Sequence, residues 1–244
     1  MALIAARLSQ AEVVSSNVSL SYLAGDAYIN PISQESGSAQ VFTFEHAALY
    51  SWGKSFSFID RELSQNEANE NSSYVEVNID ISLTQNQGFS DSVLHDVYLA
   101  SRWEHTATVN QDNLLLGAAI AWDVPGFIFL DTAFYFRSNG KNSFSVENDN
   151  NFQLSTSWLM PFQIGNLPVQ FSGVINVISE TDNNQQQAVA YQVIAQPQLK
   201  MDVGHYWQQS NQYFVGIEYN YWKNKYGIAG SDQSTPQILF TVNF

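Results

Sequence analysis

The chain contains no cysteine among its 244 residues, which excludes disulfides, thiolate metal ligands and thiol catalysis. Positive charge is also scarce, because 9 Lys and Arg stand against 23 Asp and Glu, for a formal net charge of −14. A nucleic-acid partner is therefore excluded, since phosphate binding needs a cationic surface. Charged residues of both signs make up 13% of the chain, about half the share in an ordinary soluble domain. No apolar run approaches the roughly 18 residues of a spanning helix.

What the sequence does contain is an apolar/polar alternation with a period of two. In YVEVNIDISL at 74–83, the odd-numbered positions are apolar and the even-numbered ones carry tyrosine, glutamate, asparagine, aspartate and serine. Such alternation predicts a strand with one apolar and one polar face. The tenth such segment is too long for one plain strand and contains Pro197, so we expect a bulge or kink there. Strands are predicted at 17–24, 40–50, 53–61, 72–83, 93–104, 113–123, 126–137, 150–160, 167–178, 188–207, 211–223 and 236–244.

The predicted connections alternate between short turns and long polar loops. Short turns are expected at 51–53, 124–126, 161–166 and 208–211, and long loops at 25–39, 62–73, 105–113, 138–150, 179–187 and 224–235. Tryptophans are predicted at strand ends, with Trp52, Trp122, Trp158 and Trp207 beside the short turns and Trp103 and Trp222 beside the long loops. Loop asymmetry and two aromatic belts are typical of outer-membrane barrels.

These patterns predict an all-β fold, namely a closed antiparallel transmembrane β-barrel of about twelve strands. The alternating segment that ends at Phe244 would be its last strand, and residues 17–244 would form one domain in the outer membrane of a Gram-negative bacterium. Residues 1–16 would be an N-terminal tail or the remnant of a signal peptide, outside the barrel. The segment MALIAARLSQA at 1–11 is interpreted either as the remnant of a signal peptide or as a disordered tail.

Catalytic and metal-binding patterns are not found in the sequence. It has no HExxH, no GxSxG, no phosphate-binding glycine loop and no EF-hand spacing. Of the four histidines, His46, His95 and His205 fall on the predicted lipid-facing phase, and His105 opens a predicted long loop. We therefore predict a protein that is not an enzyme and has no cofactor or metal. A barrel enzyme, suggested only by clustered carboxylates, is the last-ranked alternative.

The predicted inner face mixes acids, bases and tyrosines. A barrel of this size has a lumen between the side-chain-filled eight-stranded kind and the open porins. Such a lumen is either a salt-bridged, water-filled interior or a narrow channel with aromatic surfaces for a small polar ring compound. The predicted lumen and substrate contacts are Glu45, Asp60, Arg61, Glu76, Tyr98, Arg102, Asp131, Tyr135, Arg137 and Glu218.

Four segments occur in a fixed order: FTFEHAALYSWGKSFSFID at 42–60, LGAAIAWDVPGFIFLDTAFYFR at 116–137, AQPQLKMDVG at 195–204 and YNYWKNKYGI at 219–228. Together they resemble the nucleoside-specific channel-forming family of Gram-negative outer membranes, the Tsx-like channels and their OmpK-type relatives. The resemblance implies passive diffusion of nucleosides or similar small polar solutes, with phage or colicin as partners at the extracellular loops. The alternative is a closed-lumen structural or receptor barrel without selective transport.

Overall fold

The protein is described by a computed structural model that covers residues 12–30, 33–64, 71–85, 88–89 and 92–244. Of the predicted N-terminal tail or signal-peptide remnant at 1–16, residues 1–11 lie outside the described residues, whereas residues 13–16 belong to the first strand. Fifteen strands and two short 3₁₀ helices, η1 (Val203–Trp207) and η2 (Lys225–Gly227), are present in the described part. Across those residues, no helix has the length and apolar character needed to cross a membrane.

Thirteen of the fifteen strands form one closed antiparallel barrel, and the remaining two pair with each other in a separate sheet. In chain order the strands are β1 (Val13–Ile29), β2 (Ser36–Tyr50), β3 (Gly53–Ser64), β4 (Ser72–Ser82), β5 (Leu94–Thr106), β6 (Gln111–Trp122), β7 (Phe129–Asn139), β8 (Asn151–Ile164), β9 (Leu167–Ile178), β10 (Thr181–Asp182), β11 (Ala188–Val189), β12 (Gln192–Ala195), β13 (Gln198–Asp202), β14 (Tyr213–Lys223) and β15 (Gln233–Asn243). Neighbours in sequence pair from β1 to β9, then β9 pairs with both β12 and β13, these pair with β14, and β14 pairs with β15. The barrel closes where β15 pairs with β1, from Ser19 opposite Asn243 to Gly25 opposite Gln237. Because β12 and β13 are two halves of one broken strand, the barrel has 12 strands, and the predicted fold is confirmed.

The distribution of polarity is the reverse of that in a water-soluble protein. Along β15, the polar residues Thr235 and Gln237 are 0% and 2% exposed, whereas Ile238 and Phe240 are 52% and 46% exposed. Successive side chains of a strand point to opposite faces, so the polar set lines the interior and the apolar set covers the outside. An apolar outer band around a polar interior is the arrangement that a lipid bilayer selects.

The predicted kink at Pro197 is confirmed. Strand pairing stops after Ala195 and resumes at Gln198, because proline lacks the N–H that a ladder requires. The neighbouring strand accommodates the break at Gly173, where a Cβ atom would lie 2.6 Å from the carbonyl oxygen of Gln196. The predicted strand at 188–207 is therefore corrected. It contains the short β11, the broken pair β12 and β13, and the helix η1.

The loop and belt predictions also need correction at several strand ends. The predicted long loop at 105–113 is a tight connection between Thr106 and Gln111, and β1 begins at Val13 rather than at residue 17. Strand β8 continues to Ile164, so Trp158 lies within the strand rather than at its end. The physical reason is that backbone pairing continues beyond the lipid-facing band, where apolar alternation no longer marks the strand.

Candidate functional site: the barrel lumen

A ladder of alternating charges runs along one wall of the lumen. On β5, Arg102 lies 3.3 Å from Glu76 of β4 and 3.9 Å from Glu104. Glu104 in turn lies 2.7 Å from Arg137 of β7. The four side chains are only 7% to 11% exposed. Buried charges of this kind are tolerated when they are paired and hydrogen-bonded.

Amide side chains and a tyrosine ring complete this ladder. Arg102 donates from Nε to Asn78 Oδ1 at 2.7 Å, and Arg137 donates from Nη1 to Gln153 Oε1 at 2.8 Å. The Arg102 guanidinium carbon also lies 5.1 Å from the centre of the Tyr135 ring, within the range of a cation–π contact. Each guanidinium is thus neutralised by its own neighbours, and this wall presents little free positive charge to a solute.

The lumen beside the ladder is filled by a hydrophobic cluster on β5, β6 and β7. Most of its members are alanines. Leu115 points into the lumen and would be accessible if this part were hollow, yet it is 0% exposed. The Cα atoms of β5 and β7 approach within 8 Å of each other across β6, whereas two strand spacings in a flat sheet amount to about 9.5 Å. The sheet therefore bends sharply at β6, and its concave side is occupied by Tyr98, Ala100, Leu115, Ala119, Ala121, Ala133 and Tyr135.

The lumen next to β3 is not filled in this way. Phe56 shares the inward phase of Lys54 and Asp60, and its ring centre lies 5.8 Å from that of Phe58. Phe58 in turn lies 5.6 Å from the inward-facing Tyr74 of β4. Phe56 nevertheless keeps 37% of its surface accessible. An inward-facing aromatic side chain with this exposure borders a hollow part of the interior.

Three carboxylates line this open sector. Glu45 of β2 accepts a hydrogen bond from Ser19 at 2.8 Å, and Asp60 of β3 accepts one from Thr43 at 2.5 Å. Glu218 of β14 accepts from Gln198 Nε2 at 2.7 Å and from Gln237 Nε2 at 2.9 Å. Within the part of the chain that the structure describes, none of the three carboxylates forms an ion pair. The open sector therefore has a negative wall.

The predicted contact residues separate into two groups with one exception. Arg61 is exposed on the outer face, where its Nη1 donates to Ser73 Oγ at 3.0 Å. Adjacent strand residues point to opposite faces, so Arg61 cannot share the lumen with Asp60, and its predicted position is corrected. The inner face carries Glu45, Asp60 and Glu218 in the open sector, and Glu76, Tyr98, Arg102, Asp131, Tyr135 and Arg137 along the filled sector. Their role as solute contacts stays a prediction.

The sequence analysis missed three inner residues of β3, namely Lys54, Phe56 and Phe58. The signal was present, since all three share the parity of Asp60 in KSFSFID, but the aromatic residues were not assigned to a face. His105 contacts Asp112 at 3.0 Å on the outer side. Over the described ranges, no group of three or more His, Asp or Glu residues is arranged to hold a metal ion.

A closed 12-stranded barrel with an apolar exterior and a polar lumen has the architecture of outer-membrane barrel porins. Residues 15–235 match the family described as "Domain of unknown function (DUF5020)", and the chain belongs to this family. Comparison with curated proteins finds no matching sequence.

Solved structures of low sequence identity share the fold. The KdgM porin is 10% identical, with 93% of this chain and 99% of that chain covered and a TM-score of 0.50. The COG4313 outer membrane channel from Pseudomonas putida F1 is 10% identical, with 95% and 96% covered and a TM-score of 0.50. A second KdgM structure, in complex with disordered oligogalacturonate, is 9% identical, with 94% and 99% covered and a TM-score of 0.49. At these identities the likeness concerns the fold alone.

Proposed function

We propose that this protein is an outer-membrane channel through which small polar solutes diffuse, with nucleosides or similar ring compounds as the preferred solutes. One observation supports the channel most directly. Phe56 faces the lumen of a closed barrel, yet 37% of its surface is accessible beside a wall of carboxylates. An interior that is both hollow and polar permits the passage of water and small polar solutes.

The charge of the open sector supports neutral or cationic solutes over anions. Glu45, Asp60 and Glu218 face it without ion-pair partners among the described residues. Lys200 of β13 also points inward, and its Nζ lies 5.9 Å from the ring centre of Phe214. Rings of carboxylates favour cations in a pore. The oligogalacturonate named for a KdgM complex is a polyanion, so that solute does not suit this lumen.

The nucleoside version of the proposal is supported by the combination of rings and acceptors along β3. Phe56 offers exposed ring surface beside the half-buried ring of Phe58, and Asp60 follows on the same face. A nucleobase has a planar face that stacks on aromatic rings, and ribose hydroxyls donate hydrogen bonds to carboxylates. Nucleosides carry no net charge, so a negative wall does not repel them.

The test is a planar-bilayer recording with the purified full chain. A salt gradient should give a reversal potential that shows cation selectivity, and added nucleoside should reduce the ionic current. Phe56→Ser should weaken that block roughly tenfold, because one base–aromatic stacking contact is worth about 1–3 kcal/mol. Phe134→Ser is the matched control, since Phe134 is 55% exposed on the outer face and should leave the block unchanged.

The outcomes separate the two levels of the proposal. A conducting channel that no nucleoside blocks would overturn the nucleoside version and keep the small-solute channel. A folded barrel without any conductance would contradict both versions and favour the closed-lumen structural or receptor barrel.

A further inference from the structure

One ion pair connects two strands that are not neighbours. Lys54 Nζ of β3 lies 2.6 Å from Asp131 Oδ2 of β7. Strands β4, β5 and β6 lie between β3 and β7 in the sheet. Four strand spacings along the barrel wall amount to about 19 Å. The two side chains therefore meet through the interior of the barrel and not along its wall.

Lys54 pairs with an acidic residue across the lumen although another one lies opposite it on the adjacent strand. Asp80 lies directly opposite Lys54 on the adjacent strand β4, where a cross-strand ion pair would be the local arrangement. The Lys54 ammonium instead contacts the more distant Asp131, and on the way it lies 4.4 Å from the centre of the Tyr98 ring. The bend of the sheet at β6 turns β7 toward the opposite side of the lumen, where β3 lies.

The pair lies at the boundary between the two sectors of the lumen. On one side is Tyr98, which belongs to the filled hydrophobic cluster. On the other side is the open sector with Phe56, two residues beyond Lys54 on the same face of β3. The side chains of Lys54 and Asp131 remain 24% and 19% exposed, so they border solvent-accessible space. Both residues lie near the start of their strands, because β3 begins at Gly53 and β7 at Phe129. Both strand starts are at the short-turn rim.

We propose that the Lys54–Asp131 pair is a cross-lumen strap that narrows the passage through the open sector and sets the pore size near the short-turn rim. This inference rests on the proposed channel function and assigns size selection to one pair of side chains. With the strap intact, a solute passes beside Phe56, between the ion pair and the negative wall. With the strap cut, the space that the Lys54 side chain spans between the two strands becomes part of the passage, which widens at this level.

The absence of native cysteine makes a reversible test available. In Lys54→Cys, the new thiol is the single reactive cysteine of the chain, because the sequence contains none. Single-channel conductance should rise about 1.5-fold to twofold, since it follows pore cross-section and charge. Aminoethyl methanethiosulfonate adds a side chain that ends in an ammonium, as lysine does, and should restore the original conductance. The sulfonatoethyl reagent adds an anion and should not.

The control is a lysine of another Lys–Asp pair. Lys223 lies 3.0 Å from Asp232 at the exposed long-loop rim, so Lys223→Cys and its aminoethyl adduct should leave conductance unchanged. Asp131→Asn gives a second way to cut the strap. The heat-induced mobility shift of folded barrels on gels verifies that every variant is folded.

Each outcome bears on a separate claim. Unchanged conductance in both Lys54→Cys and Asp131→Asn would overturn the strap while leaving the channel intact. A silent wild type with a conducting Lys54→Cys would support the strap as a closure and contradict the open channel. If neither conducts, both proposals are overturned.

Discussion

Replacement of Arg137 by methionine tests whether the buried charge ladder stabilises the barrel. Arg137 makes a 2.7 Å ion pair with Glu104 and donates to Gln153 at 2.8 Å and to Asn139 at 2.9 Å. Methionine keeps an unbranched side chain but removes the charge and all three donors. Glu104 would then keep Arg102 as its cation, at the longer distance of 3.9 Å.

The size of the expected loss follows from burial. Removal of one partner from a buried ion pair costs about 3–5 kcal/mol, because the other charge is left without compensation. Since Arg102 still compensates Glu104 in part, we expect the free energy of unfolding to fall by about 3 kcal/mol, the lower end of that range. The measurement is urea unfolding of the barrel in phospholipid vesicles, followed by tryptophan fluorescence.

Two further variants make this prediction refutable. Lys223→Met removes a lysine from an exposed pair, whose side chains are 36% and 41% accessible, and should have far less effect because solvent screens such pairs. Adding Glu104→Gln to Arg137→Met should recover part of the loss, since the uncompensated carboxylate is then removed. An equal loss in Arg137→Met and Lys223→Met, or no recovery in the double variant, would show that the ladder is not the source of the stability.

Two other predictions concern the outer face and the long-loop rim. Leu116→Arg places a charge at the middle of β6 on the outer face, where Leu116 is 53% exposed. It should lower the free energy of unfolding in vesicles by about 2–4 kcal/mol. A loss smaller than that caused by the same outward substitution at a strand end would contradict the lipid-facing assignment. Burial lowers the pKa of Lys225, in the β14–β15 connection, to about 8, and Glu62 opposes this by raising it. The folded form therefore binds fewer protons than the unfolded chain between pH 8 and the ordinary lysine value of 10.5. The free energy of unfolding should therefore rise with pH across this window, and this gain should be lost as the pH falls back to about 8. Lys225→Met should lack that part of the slope in urea titrations at successive pH values, and an identical slope in both proteins would refute the burial argument.

Strand count and barrel closure were predictable because lipid and lumen impose opposite polarity on alternate residues. That signal is local, and it is strong wherever both environments are present, as in β4 or β15. The kink at Pro197 was predictable because proline has no backbone N–H to pair with the neighbouring strand. The ends of strands were less predictable, because pairing extends beyond the lipid-facing band, as β8 does past Trp158.

The lumen was predictable in composition but not in arrangement. The alternation of faces along a strand assigns Glu76 and Arg102 to the inner face. Applied to the KSFSFIDR segment, the same alternation assigns Arg61 to the outer face. Which inner residues meet is a different matter. The contact between Lys54 and Asp131 depends on the bend at β6, and no feature local to β3 or β7 encodes that bend.

The seam between β1 and β15 has a consequence for how the molecule is made. Ser21 and Thr241, which are hydrogen-bonded at 2.8 Å across it, stand 220 positions apart in the chain. Before β15 arrives, every partial sheet has two open edges whose unpaired backbone groups can recruit other chains. Such distant pairing is slow to form. During biogenesis, closure of this barrel therefore competes with aggregation. A cellular factor that covers the edge of β1 until β15 pairs with it would increase the yield of folded protein.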